Sequence, residues 1–206
     1  MKKAKGMWMV PKLWPGGECF ILGGGPSLRG FDIEQLKGRR VIAVNNAYKM
    51  ANWIDVMFFG DCRWWNVHAK NLLNFAGLKV TTCAQHLDKP GIKVIKKRNS
   101  PTGISNDRGI VTWNLSSGAC AINLAVHFGV KSIVLLGYDM KKDGEAHNWH
   151  NDHVNSKNLK RNPYQRFMRN FPAIAESLRR THIKCVNANP DSALEVFPKV
   201  CLEDVL

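Results

Sequence analysis

The chain has 206 residues, 45% of them hydrophobic and 22% charged; that is enough to bury one sizeable core, in the balance of a globular protein rather than a disordered one. No apolar run approaches the roughly 20 residues of a membrane-spanning helix, and residues 1–15 lack the apolar stretch and cleavage site of a secretory signal, so a cytoplasmic location is expected. The net charge of +14 is the compositional extreme, and it fits either an anionic partner such as DNA or a generally basic surface.

A basic leader over 1–17 precedes a first apolar run, Glu18 to Leu22, which reads as a strand running straight into Gly23-Gly24-Gly25-Pro26-Ser27. Ser27 to Leu36 has the spacing of a short helix, Arg40 to Val44 reads as a strand ending on Asn45-Asn46, and Val56 to Phe59 as a strand ending on Gly60-Asp61. Arg63 to Phe75 suits an amphipathic helix. Lys79 to Cys83 and Ile92 to Ile95 are weaker strands, and Lys96 to Gly109, basic and without periodicity, reads as a mobile loop. Ser116-Ser117-Gly118 opens a helix through Phe128, capped by Ser116 or Ser117 and ended by Gly129. Ser132 to Leu136 reads as a fully apolar strand, of the sort expected at the centre of a parallel sheet covered on both faces. A polar, histidine-bearing stretch from Asp139 to Pro163 comes next, then a helix over Gln165 to Arg180 and a last strand, Lys184 to Asn187. The alternation predicts an α/β fold, Rossmann-like and doubly wound, with a mainly parallel sheet, a single domain over 18–206 and a polar lid loop carrying histidines. Six cysteines without a CxxC pair (Cys19, Cys62, Cys83, Cys120, Cys185, Cys201) read as reduced, packed thiols.

Four places carry candidate chemistry. The glycine turn lets backbone N–H groups approach a phosphate at a helix start, and equally serves as a tight packing turn; it is neither a GxGxxG fingerprint nor a P-loop. Asn45 and Asn46 stand where open parallel sheets bind ligands, and also suit a left-handed turn. Asp61 is open to a ribose, a metal or the cap of the next helix, and Ser116, Ser117 and Gly118 to a second phosphate or sugar contact or a plain cap. His147, His150 and His153, with Asp152, are open to general acid or base work, metal binding or a solvated loop.

Taken together, ILGGGPSL, VIAVNNAY, SSGACAINLAVHFGVKSIVLLGYDM and the later histidines resemble the bacterial lipo-oligosaccharide sialyltransferases. They also look like the related archaeal 6-hydroxymethylpterin diphosphokinases and like small proteins of bacteriophage genomes, to which NPDSALEVFP is most similar. The sialyltransferase resemblance implies a CMP-type nucleotide-sugar donor held by Gly23, Gly24, Gly25, Ser27, Asn45 or Asn46, and Ser116 to Gly118. It implies a general base at His150 or His153, and offers Tyr138 and Tyr164 as candidates to assist the departing phosphate. The expected activity is that of a nucleotide-sugar glycosyltransferase, with DNA or another anionic acceptor as a possible partner. The pterin-enzyme resemblance implies instead diphosphate transfer from ATP with Mg²⁺ at Asp61 or Asp139. A third reading is a non-enzymatic, basic nucleic-acid-binding protein.

Overall fold

The computed structural model describes residues 6–100, 102–150 and 163–206. Nine strands are described: β1 (Glu18–Leu22), β2 (Val41–Val44), β3 (Val56–Phe59), β4 (Leu78–Thr81), β5 (Ile92–Val94), β6 (Lys96–Arg98), β7 (Ile110–Thr112), β8 (Ser132–Leu136) and β9 (Lys184–Asn187). Seven form one parallel sheet in the order β5-β4-β3-β2-β1-β8-β9, with Phe20 of β1 opposite Val41 on one side and Val134 on the other. The chain winds outward from β1 to β5, then returns to lay β8 and β9 on the opposite side. The order therefore reverses between β1 and β8, and the crevice beyond their C-terminal ends is where such sheets take ligands.

Both faces of the sheet are covered, which explains the near-continuous apolar strands. Helices α2 (Ser117–Phe128) and α4 (Phe171–Arg180) pack on one face with Cys19, Ile21, Phe58 and Ile133; α1 (Cys62–His68) and two short 3-10 turns cover the other with Phe20, Leu22, Met57 and Phe59. Small residues (Ala119, Cys120, Ala121) bring α2 close to the sheet, and Gly129, at φ 88°, ends it in the left-handed conformation. β8 is buried on both faces as expected, although it stands second from the sheet's edge. No helix among the described residues is long and apolar enough to cross a membrane.

Several elements differ from the sequence reading. Ser27 to Leu36 forms no helix: 3-10 turns at Pro26–Leu28 and Ile33–Leu36 are separated by Gly30 at φ 75° and by Asp32, which caps Glu34 N–H. The helix expected over Arg63 to Phe75 is shorter and starts one residue earlier, at Cys62. Gln165 to Arg180 divides into α3 (Tyr164–Met168) and α4, because Pro172 lacks an N–H and opens a new first turn. The expected loop from Lys96 to Gly109 begins with β6, paired in parallel with β7. β6 shows no apolar pattern since it is largely exposed. Its surroundings are ordered from α2, where Asn123 Oδ1 accepts from the N–H groups of Ser105 and Thr112, both at 3.0 Å. Within the expected leader, Val10 and Trp14 are buried against the α2 face, and Trp14 N–H donates to the Phe128 carbonyl.

Candidate functional site

The residues beyond β1, β2, β3 and β8 form one continuous contact surface at the crevice. At the glycine turn, most hydrogen-bonding capacity is spent inside the protein. Gly23 N–H donates to the Leu136 carbonyl (2.7 Å) and Gly25 N–H to the Gly137 carbonyl (2.8 Å), while Pro26 has no N–H. The buried carboxylate of Asp139 accepts from Ser27 N–H (2.7 Å), Ser27 Oγ (2.6 Å) and Asn189 Nδ2 (3.0 Å). Among the described residues only the Gly24 N–H of the turn remains unspent. With only a three-residue 3-10 turn after it, the turn also lacks the helix dipole expected to face a phosphate there. Its glycines serve close packing: a Cβ at Gly23 would lie 2.5 Å from the Gly137 oxygen, and one at Gly25 2.5 Å from Asp139 Cγ.

The strap from His147 to His150 lies over this turn. Trp149 N–H donates to the Gly24 carbonyl (3.1 Å), and the Asn148 carboxamide, once turned so that its nitrogen faces these acceptors, donates to the same oxygen at 3.2 Å and to the His147 carbonyl at 3.3 Å. Tyr164 hydroxyl holds the strap from behind, donating to the His147 carbonyl at 2.9 Å. Burial first, then the negative charge of Asp139, pushes the Tyr164 phenol up to about 12. His147 is shifted downward by burial and by Lys142, with Glu145 opposing. The far end of the strap reaches β2's end, where His150 Nδ1 is 3.4 Å from Asn46 Nδ2 and Asn46 Oδ1 accepts from Trp64 Nε1 at 2.6 Å. His153 and Asp152 lie outside the described residues.

Opposite the strap stands the start of α2. Ser116 Oγ caps it by accepting from Gly118 N–H (3.2 Å), which leaves the N–H groups of Ser117 and Ala119 in the orphan first turn with no carbonyl of the helix to meet. The Tyr138 ring joins this helix start to the glycine turn: it lies 3.2 Å from where a Cβ at Gly23 would stand and 2.9 Å from one at Gly118, and its hydroxyl donates to the Gly118 carbonyl at 3.1 Å. Gly60, at the end of β3, lets Ser117 Oγ and Trp113 approach; a Cβ there would be 2.9 Å and 2.8 Å from them. Lys97 of β6 places its ammonium 4.6 Å from the centre of the Trp113 ring. Asn45 adopts φ 51°, the left-handed turn anticipated for it, and its buried Oδ1 has no partner among the described residues. An acceptor so placed is costly unless something donates to it.

The structure thus brings Gly23, Gly24, Gly25, Ser27, Asn45, Asn46, Ser116, Ser117, Gly118 and His150 to one crevice, in unequal states. Asp61 caps α1, accepting from Arg63 N–H at 2.8 Å and pairing with the Arg63 guanidinium. With the Asp139 oxygens also spent, neither carboxylate named for Mg²⁺ is poised to hold it, and no cluster of three or more acidic, histidine or cysteine side chains suited to a metal occurs among the described residues. Sequence reasoning gave Asp139 only a possible Mg²⁺ role, Trp64 only a place on the apolar face of an amphipathic helix, and Asn148 no part in the site. Asp139 follows the switch-point strand β8, a placement that could have flagged it; nothing local marks the other two. A cavity of about 250 Å³ opens beside the glycine turn, lined by Ser27, Phe31, Leu136, Asn189, Leu202 and Glu203 among others, with no lysine or arginine among the described residues of its wall.

No family model matches the chain. No curated protein matches it in sequence. Among solved structures it is similar to the sialyltransferase CstII from Campylobacter jejuni, determined in complex with a substrate analogue, cytidine-5'-monophosphate: the two share 15% identity at a TM-score of 0.57, over 91% of this chain and 86% of that one. At this identity the likeness shows a shared Rossmann-like α/β fold.

Proposed function

We propose that the protein is a nucleotide-sugar-dependent glycosyltransferase whose donor lies in the crevice between the strap and the start of α2. The observation that carries the reading is the set of unspent polar groups beyond the strands: the N–H groups in the first turn of α2 and the buried Asn45 Oδ1, unpartnered among the described residues. Phosphate oxygens suit the former, by direct hydrogen bonding and by the helix dipole. A ribose hydroxyl suits the latter. The glycine turn contributes the Gly24 N–H and a wall without side chains. As the donor's glycosidic C–O bond breaks, negative charge grows on the departing phosphate, and the preorganised α2 N–H groups stabilise it without reorganising. A histidine, either His150 of the strap or His153, takes the proton of the attacking acceptor hydroxyl. The fold shared with an enzyme solved with CMP favours a cytidine donor, and the +14 charge favours an anionic acceptor, DNA among them.

Diphosphate transfer from ATP is less well supported, since Asp61 and Asp139 are both engaged. Calorimetric titration with CMP, UMP, AMP and ATP, each with and without Mg²⁺, tests the reading. Binding of CMP that persists in excess chelator is expected; binding of ATP with Mg²⁺ and of no pyrimidine nucleotide would overturn it.

A further inference from the structure

Trp64 lies beneath the crevice, only 7% exposed, packed on Phe59 and edge-on to Tyr48. Its indole N–H can only donate, and at 2.6 Å it donates to Asn46 Oδ1. That bond orients the Asn46 carboxamide, because exchanging its oxygen and nitrogen would set an NH₂ group against the indole N–H. Asn46 is itself 4% exposed, so the misplaced pair would have little water to turn to. The amide nitrogen is consequently the atom presented to His150 Nδ1, at 3.4 Å. An NH₂ group facing Nδ1 requires a lone pair there, and a neutral imidazole with its lone pair on Nδ1 carries its hydrogen on Nε2.

We infer that Trp64 and Asn46 are positioning residues that hold His150 as its Nε2–H tautomer, with its single lone pair turned toward Asn46. The inference deepens the transferase reading but stands on the hydrogen-bond geometry alone. Its consequence concerns the proton: in this arrangement His150 cannot accept one at Nε2, and can accept one at Nδ1 only after the Asn46 contact opens. Proton removal by His150 is thereby gated by Asn46. Without that opening the step falls to another group.

The test is the ring ¹⁵N spectrum of the full chain labelled at histidine, recorded without nucleotide at a pH above the imidazole titration range. The His150 signals are assigned by their loss in His150→Gln. The expected spectrum has a pyridine-like Nδ1 and a pyrrole-like Nε2. Asn46→Asp keeps the shape but presents only acceptors, so the His150 hydrogen is expected to move to Nδ1. Trp64→Phe keeps an aromatic ring in the core but frees the amide to turn, and a mixture of tautomers is expected. A wild-type ring protonated on Nδ1, or an Asn46→Asp ring unchanged from wild type, overturns the inference; an unchanged ring in Trp64→Phe overturns the part given to Trp64. The wild-type spectrum requires no variant to fold. Because no nucleotide is present, failure of CMP to bind sinks the glycosyltransferase reading without touching this result, and a wrong tautomer sinks this inference without touching that reading.

Discussion

The glycine turn after β1 and the serine-glycine start of α2 look alike as sequence, each a short run of small residues next to a buried segment, yet they do different work. At the first, neighbouring carbonyls and Asp139 absorb the N–H groups of Gly23, Gly25 and Ser27, so the glycines join the β1 and β8 loops at close range. At the second, a twelve-residue helix begins with part of its first turn unspent, while the Asn45 oxygen beyond β2 has no donor among the described residues. A glycine run after a strand is a phosphate loop only when its N–H groups remain available and a helix follows. Here the joint has the glycines and α2 has the dipole.

The largest effect expected from this contrast is on stability. Gly25→Val forces a side chain to within 2.5 Å of Asp139 Cγ and 2.7 Å of the Gly137 oxygen, and should cost about 3 kcal/mol in urea unfolding. Gly24→Ala meets only the terminal amide of Asn148, at 3.0 Å, and should cost far less; equal losses at the two positions would erase the distinction drawn within the turn. A smaller effect belongs to binding. Asn45→Gly keeps the left-handed turn while removing the unpartnered Oδ1, and should weaken CMP binding by about 1 kcal/mol, roughly five-fold, with little change in unfolding free energy. A loss of stability without a loss of affinity would make Asn45 a turn residue only.

The smallest effect is a pH dependence away from the crevice. Burial, opposed by the bond to the Ile110 carbonyl and by Asp107, leaves His127 shifted downward. Its folded state thus binds fewer protons than the unfolded chain between the depressed value and the ordinary one near 6.5. The contribution is fully present above that ordinary value and is lost as pH falls from there toward the depressed one. His127→Gln should flatten the acid side of the melting-temperature profile, whereas an unchanged profile would assign the acid loss to other groups.

How much of this was legible depended on whether the cause was local. β1, β2, β3 and β8 are largely apolar runs of four or five residues, almost wholly buried, and their pattern shows at once. β6 does not show, because Lys96-Lys97-Arg98 is exposed and is held by β7, with Asn123 on α2 ordering the adjoining segment. The helix expected after the glycine turn is absent because Gly30 and the Asp32 cap break the spacing into two turns. At the site, Asn45, Ser116 and Gly118 were readable from the conformations and caps their types favour. The part played by Asp139 was not, since its meaning comes from Ser27 and Asn189, 112 and 50 residues away in sequence. Trp64 read only as one apolar residue on a helix face; its indole N–H matters through Asn46, which meets it only in the folded chain.

The most direct test of the division between joint and seat is the backbone amide spectrum of the full chain titrated with CMP in the absence of metal. The account predicts saturable shifts largest at Ser117, Gly118 and Ala119, with Asn45 following and the Gly23 and Gly25 amides nearly still. Shifts centred on Gly23 to Gly25 with α2 unmoved, or no saturable shift anywhere, would contradict it.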